Sequence, residues 1–173
     1  MALRRVAAVS ETLQSMIAGT AGLSVAAVMA LFLTILREPV DVGGAGRERT
    51  VRLFLVGVAA QCTHFLEEFV TRFQVRFPAL LGLPAWSENF FVCFNLAWLT
   101  IWILSAIGLQ MRFRIALFPI WFFAIAAIMN GIAHPVLAIL AGGYFPGLIT
   151  SPVVGVLGVL LWLNLQALTR WSA

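Results

Sequence analysis

The sequence predicts an all-α polytopic membrane protein, a bundle of about five transmembrane helices, and three observations carry that prediction. Hydrophobic residues make up 62% of the 173-residue chain and charged residues 10%, with a mean hydropathy of +1.00, whereas soluble domains carry about 25% charged residues. Five apolar segments, 13–36, 51–70, 89–109, 115–138 and 150–168, each come near the roughly 20 residues that a helix needs to cross a bilayer. The connections are short, so residues 1–173 read as a single membrane domain without a soluble module.

Segment 13–36 follows Arg4 and Arg5. It is too long for the core of a cleaved signal and no small-x-small site follows it, so a retained first span is expected. Ala18, Gly22, Ala26 and Ala30 recur every four residues, a ridge of small side chains on which another helix can pack closely. Connection 37–50 holds Asp41-Val42-Gly43-Gly44-Ala45-Gly46, expected as a mobile polar turn.

Cys62 and Cys93 lie about 160° round their helices from His64 and Asn95 and are expected to be small buried hydrophobes rather than ligands or a disulfide. Connection 71–88, with Phe77-Pro78 and Leu83-Pro84-Ala85-Trp86, is apolar for a loop and is expected to lie along the membrane interface or fold back into it. Pro135 disfavours helix at His134 and frees the Gly131 carbonyl. Such breaks at membrane depth line cavities or are buried in protein. Gly142-Gly143-Tyr144-Phe145-Pro146-Gly147 ends the fourth helix, and Thr150 or Ser151 is expected to cap the fifth, with Pro152 in its first turn.

The second segment contains His64-Phe65-Leu66-Glu67-Glu68. A charge at the bilayer centre costs roughly 2.5–3.5 kcal/mol on insertion scales, so such groups pair, coordinate a metal or face a wet cavity. Positions i, i+3 and i+4 share a helix face, which turns His64, Glu67 and Glu68 into one space. Because successive spans alternate in direction, the end of the second, the start of the third, the end of the fourth and the start of the fifth meet on one side of the membrane. That side gathers Gln61, His64, Glu67, Glu68, Thr71, Glu88, Asn89, Asn95, Asn130, His134, Tyr144 and Thr150.

Four motifs, His64-x-x-Glu67-Glu68, Phe77-Pro78, Asn130-x-x-x-His134 and Tyr144-x-Pro146-Gly147, occur in an order and spacing that resembles the HXXEE family of small bacterial and archaeal integral membrane proteins. The resemblance covers residues 51–155 and implies a fold and a candidate site rather than a reaction. It also implies the inner membrane of a prokaryote. A second, partial likeness is Glu67-Glu68-Phe69-Val70-Thr71-Arg72, which is similar to the EExxxR motif of the CAAX-protease-like intramembrane metalloenzymes. Position 130 is Asn where their FxxxH motif has Phe, and no later HxxxN or HxxxD follows.

Three readings of the constellation stand side by side. In the first, His64, Glu67, Glu68 and His134 hold a divalent ion, with Zn²⁺ or Fe²⁺ suited to this ligand set. Glu67 or Glu68 then serves as general base, Asn130 orients a ligand or stabilises an oxyanion, and the substrate is a lipid or another lipophilic small molecule. In the second, the adjacent carboxylates and His64 perform metal-free acid/base chemistry such as an isomerisation. In the third the protein is no enzyme but a small transporter, a proton path, or a structural or binding protein, with Glu68 and Arg72 as an i, i+4 ion pair. The stripe Asn95, Trp98, Trp102 can wall a cavity in any of these, although ordinary helix packing is the more expected role.

A net charge of +4 does not indicate nucleic-acid binding, because the eleven arginines scatter over the ends of the spans and form no stripe with interleaved aromatics. The bilayer is the expected partner, and the sequence leaves the oligomeric state open. Arg37, Arg47, Arg49, Arg52, Arg112, Arg114 and Arg170 fall on the side away from the site, against Arg4, Arg5, Arg72 and Arg76 on the site's side. The larger group is expected to face the cytoplasm, which turns the site outward.

Overall fold

The computed structural model describes residues 2–40 and 43–171, with side chains from residue 14 onward except residue 18. It is an all-α bundle. The elements are α1 (Ala2–Leu36), β1 (Arg37–Pro39), α2 (Gly43–Val70), α3 (Phe73–Leu80), α4 (Glu88–Gln110), a 3₁₀ turn at Arg114–Ala116, α5 (Leu117–Leu140), α6 (Ser151–Leu168) and β2 (Thr169–Trp171). Five of these helical stretches are long and apolar enough to cross a membrane.

The centre of the bundle is α5, because it is apolar on every face and a helix of that kind must be surrounded. Within the bundle, 56% of the span Arg114–Leu140 is buried, against 22% for Gly19–Leu36 and for Glu88–Gln110. Its Trp121, Phe122 and Phe123 are almost inaccessible. Phe123 meets Phe54 of α2 edge-on at 5.4 Å, and Trp121 meets Trp162 of α6 at 5.0 Å. In lipid, helices associate through such contacts and through small residues that let backbones approach, since hydrocarbon is as apolar as Leu. A Cβ on Gly131 of α5 would stand 2.8 Å from the Gly155 Cα of α6, so only glycine permits this crossing. The ridge of α1 packs on α5, with Ala26 and Ala30 fully buried and Gly22 facing Met129. Ala18 lies outside the described side chains, as do Arg4 and Arg5.

Several expectations are corrected. Connection 37–50 is not a loop: α2 begins at Gly43, and Arg37–Pro39 pairs antiparallel with Thr169–Trp171. Hydropathy marks only the stretch at membrane depth, whereas α2 runs on into water with the exposed pair Glu48–Arg52 on its surface. Asp41 and Val42 lie outside the described residues. Arg37 is buried and donates to the Thr169 hydroxyl at 2.8 Å and carbonyl at 2.7 Å, which ties the two ends of the spanning region together.

Residues 71–88 hold a helix, α3, and Trp86 is buried against α1, its indole donating to the Ser15 hydroxyl at 2.9 Å. Pro135 does not break α5, which continues to Leu140. Cys62 and Cys93 are exposed rather than buried. A residue opposite the polar face of a membrane helix points out of the bundle, and lipid accepts a small apolar group there as readily as a core does.

Candidate metal centre

Three buried side chains from two helices converge. His64 and Glu68 stand one turn apart near the end of α2, and His134 stands near the end of α5; none is more than 7% exposed. The Glu68 Oε1 lies 3.6 Å from His64 Nε2 and 3.4 Å from His134 Nε2, and one ligand atom of each residue lies within 4.8 Å of the others. The two imidazoles stand at 90° with centroids 4.7 Å apart. Arg72, in the left-handed region at φ 63°, ends the polypeptide's helical run after Val70. The chain then turns back into α3, and Phe73 covers His134 with ring centroids 5.6 Å apart.

The loop between α5 and α6 orients both rings. His134 Nδ1 lies 2.6 Å from the Pro146 carbonyl, which can only accept, so Nδ1 carries the proton. Glu67 receives the Tyr144 hydroxyl at 2.7 Å, the Ile149 and Thr150 backbone N–H groups at 3.0 and 2.9 Å, and the Thr150 hydroxyl at 2.5 Å. Four donors mark it as an ionised carboxylate. Since the Thr150 proton goes to Glu67, the Thr150 oxygen accepts from His64 Nδ1 at 2.7 Å. Both histidines are therefore Nδ1–H tautomers, and both Nε2 lone pairs face the Glu68 carboxyl. His64 Nε2 is buried without a hydrogen-bond partner.

Gly147, at φ +84°, lays its backbone directly over the rings: a Cβ there would come within 2.5 Å of His134 Cε1 and 2.8 Å of His64 Cε1. Burial first, then the bond to Glu67, pushes the Tyr144 hydroxyl above its ordinary pKa, so it remains a donor. Arg76 fixes the same loop by donating to the Tyr144 carbonyl at 2.9 Å.

Beside the trio lies a cavity of about 150 Å³ that Glu68, His134, Gln61, Asn95 and Asn130 border, walled by Trp98, Trp102 and several Phe rings. Asn95, Trp98 and Trp102 front this space and also serve as packing, Trp98 stacking on Phe122 at 4.2 Å and Trp102 meeting Phe123 edge-on at 4.9 Å. Asn95 donates to the Phe91 carbonyl at 2.9 Å. Gly19 and Leu23 of α1 form one side and Phe94 of α4 another. Helix α1 packs along α5 but makes few contacts with α4, so this flank faces the bilayer.

Three sequence expectations differ in detail. Glu67, expected among the ligands, turns from the trio into the α5–α6 loop, because the adjacent carboxylates project about 100° apart on the helix. Arg72 lies on the surface 3.5 Å from Glu88 and makes no pair with Glu68. Thr150 sits at the N-cap position of α6 but gives its hydroxyl to Glu67 instead of the helix. Phe73 and the Trp86–Ser15 contact were not signalled, since neither stands at a polar spacing. The fold and the site together define a multi-helix membrane bundle with a buried His/Glu/His cluster. No protein-family model, curated protein or solved structure matches the chain.

Proposed function

We propose that the protein is a membrane-embedded metal-dependent enzyme, hydrolase-like in its chemistry, that acts on a lipid or another membrane-dissolved substrate. One observation carries this reading: two Nε2 lone pairs face the same Glu68 carboxyl oxygen, and neither ring brings a hydrogen to it. Three acceptors in a dry space repel one another unless a cation or extra protons join them. In tetrahedral coordination, metal–ligand bonds of about 2.0–2.2 Å put neighbouring donor atoms roughly 3.3–3.6 Å apart. The separations of 3.4 and 3.6 Å between Glu68 and the imidazoles suit that spacing.

His64, His134 and Glu68 would hold Zn²⁺ or Fe²⁺ and leave a fourth position for water. A divalent ion, two neutral imidazoles, Glu68 and the linked Glu67 sum to zero charge, which removes most of the cost of burying the acids. The metal supplies an acidic bound water and a Lewis acid for a carbonyl. Glu68 and Asn130 both border the cavity; with an ion bound, the second oxygen of Glu68 would be placed to accept a proton and the Asn130 amide to donate to an oxyanion. Glu67 holds His64 in the ligating tautomer through Thr150, as carboxylates behind metal-bound histidines do. The arginine distribution supports an extracytoplasmic site.

Metal analysis of the purified protein tests the reading. About one equivalent of metal is expected, retained in Glu67→Gln at reduced affinity and lost in His64→Ala, His134→Ala and Glu68→Gln. Metal that survives all three losses, or protein that takes up neither Zn²⁺ nor Fe²⁺ on reconstitution, would overturn it. In the second case a proton shared among the trio favours acid/base isomerisation.

A further inference from the structure

At the opposite end of the bundle, Arg47, Arg112 and Arg114 line one recess of about 190 Å³ together with Leu109, Leu117 and Leu168. No acidic side chain borders it among the described residues. Arg114 is partly committed: its Nη2 donates to the carbonyls of Thr34 at 3.2 Å and Ile35 at 2.9 Å, closing the C-terminus of α1. The guanidinium groups of Arg47 and Arg112 have neither a hydrogen bond nor an ion pair among the described residues, in contrast to that of Arg52, which meets Glu48 at 3.5 Å.

Fold stability does not explain these two cations. Arg47 stands in the second turn of α2, toward the helix's positive end, where the helix dipole offers a cation no stabilisation. Arg112 is held at φ 64°, a conformation that side chains other than glycine rarely take. Around it, exposed Met111, Phe113 and Ile115 alternate with Arg112 and Arg114. Such alternation suits the border of a bilayer, with apolar groups in the acyl region and guanidinium groups reaching the headgroups.

We infer that this recess binds the phosphate headgroup of an anionic membrane lipid. Guanidinium groups recognise phosphate oxygens through paired hydrogen bonds, and basic recesses between spans are suited to lipid headgroups. The Arg47 and Arg112 guanidinium groups take the phosphate, and the acyl chains lie against the exposed Met111, Phe113 and Ile115, with the buried Leu109, Leu117 and Leu168 as the floor of the recess. The recess lies at the other end of the spans from the His64, Glu68 and His134 cluster and shares no residue with it.

Lipid retention by the detergent-purified full chain, read by native mass spectrometry, tests it. Phosphatidylglycerol should be retained over phosphatidylcholine by wild type, with about a tenfold or greater loss in Arg47→Gln/Arg112→Gln. The control Arg49→Gln/Arg170→Gln alters two cations of the same face outside the recess and should keep the preference. Equal retention by all three proteins, or equal loss in the control, would overturn the site. Melting curves separate the sources of phosphate: if inorganic phosphate alone stabilises wild type as much as the lipid does, the lipid assignment fails in favour of a soluble anion.

Discussion

The Thr150 hydroxyl lies 2.7 Å from His64 Nδ1, and because its own proton is given to Glu67, it can only accept from the ring. A threonine at the head of α6 thus decides which nitrogen of a histidine on α2 is free to ligate. Thr150→Val removes that acceptor while keeping the shape of the side chain, so His64 loses the partner that fixes its tautomer. Metal affinity should fall about 10–100-fold, the usual cost of losing such a support. Thr150→Ser should restore most of it. Competition with a chromophoric chelator measures both, and an unchanged affinity in the valine variant would remove Thr150 and Glu67 from the site.

Tyr144 is the chain's one tyrosine, so its ionisation can be read in isolation from phenolate absorbance. Burial and the bond to Glu67 raise its pKa, so the wild-type midpoint should lie above the ordinary value of about 10. The folded state holds this proton more tightly than the unfolded state. Its contribution to stability is therefore complete below the unfolded pKa and is lost as pH rises through the folded one. Glu67→Gln removes the charge that holds the proton, and the midpoint should move down. A midpoint that stays in place would show that the bond between Tyr144 and Glu67 does not form in solution.

Gly147→Ala asks whether the loop's close approach to the imidazoles is required. The added Cβ would collide with both rings, and a φ of +84° strains any residue with a side chain. Either the loop lifts, taking the Pro146 carbonyl and Thr150 with it, or the histidines rotate. Both outcomes cost the metal at least tenfold in affinity, as loss of such supporting bonds does. The helices themselves should persist, so far-UV circular dichroism is expected to be unchanged. A variant with wild-type metal content would mean that the loop is not the lid of the site.

What could be read from the sequence divides along physical lines. Length and hydropathy located the spans because a bilayer imposes one dimension on every helix, and the spacing of His64 and Glu68 put both on one face by helix geometry alone. Alternation of direction brought His134, Tyr144 and Thr150 to the same end. Which carboxylate faces the histidines was out of reach, since Glu67 and Glu68 lie about equally close to the polar face and the α5–α6 loop decides between them. The pairing of Arg37 with Thr169 and the seat of Trp86 on Ser15 join residues far apart in the chain, and local pattern carries no trace of such contacts. The burial expected for Cys62 and Cys93 failed for a related reason: in lipid, apolar character does not tell the inside of a bundle from the outside.

The crossing of α5 and α6 supplies a prediction that couples fold to site. Gly131 and Gly155 bring the two backbones so close that a Cβ on either would stand 2.8 Å from the other's Cα. Gly155→Leu must push the helices apart, at a cost of about 1–3 kcal/mol for overpacking. His134 follows Gly131 by three residues on α5, and its Nδ1 partner Pro146 belongs to the loop that leads into α6. Separating the helices therefore stretches the bond that fixes His134, and metal affinity should fall together with unfolding stability. Gly22→Leu on α1, where a Cβ would meet only the flexible end of Met129 at 3.5 Å, should lower stability less and leave the metal in place. Steric trapping in bicelles and metal titration of the two variants measure the difference. If both lose metal equally, the effect is general loosening and not the α5–α6 crossing.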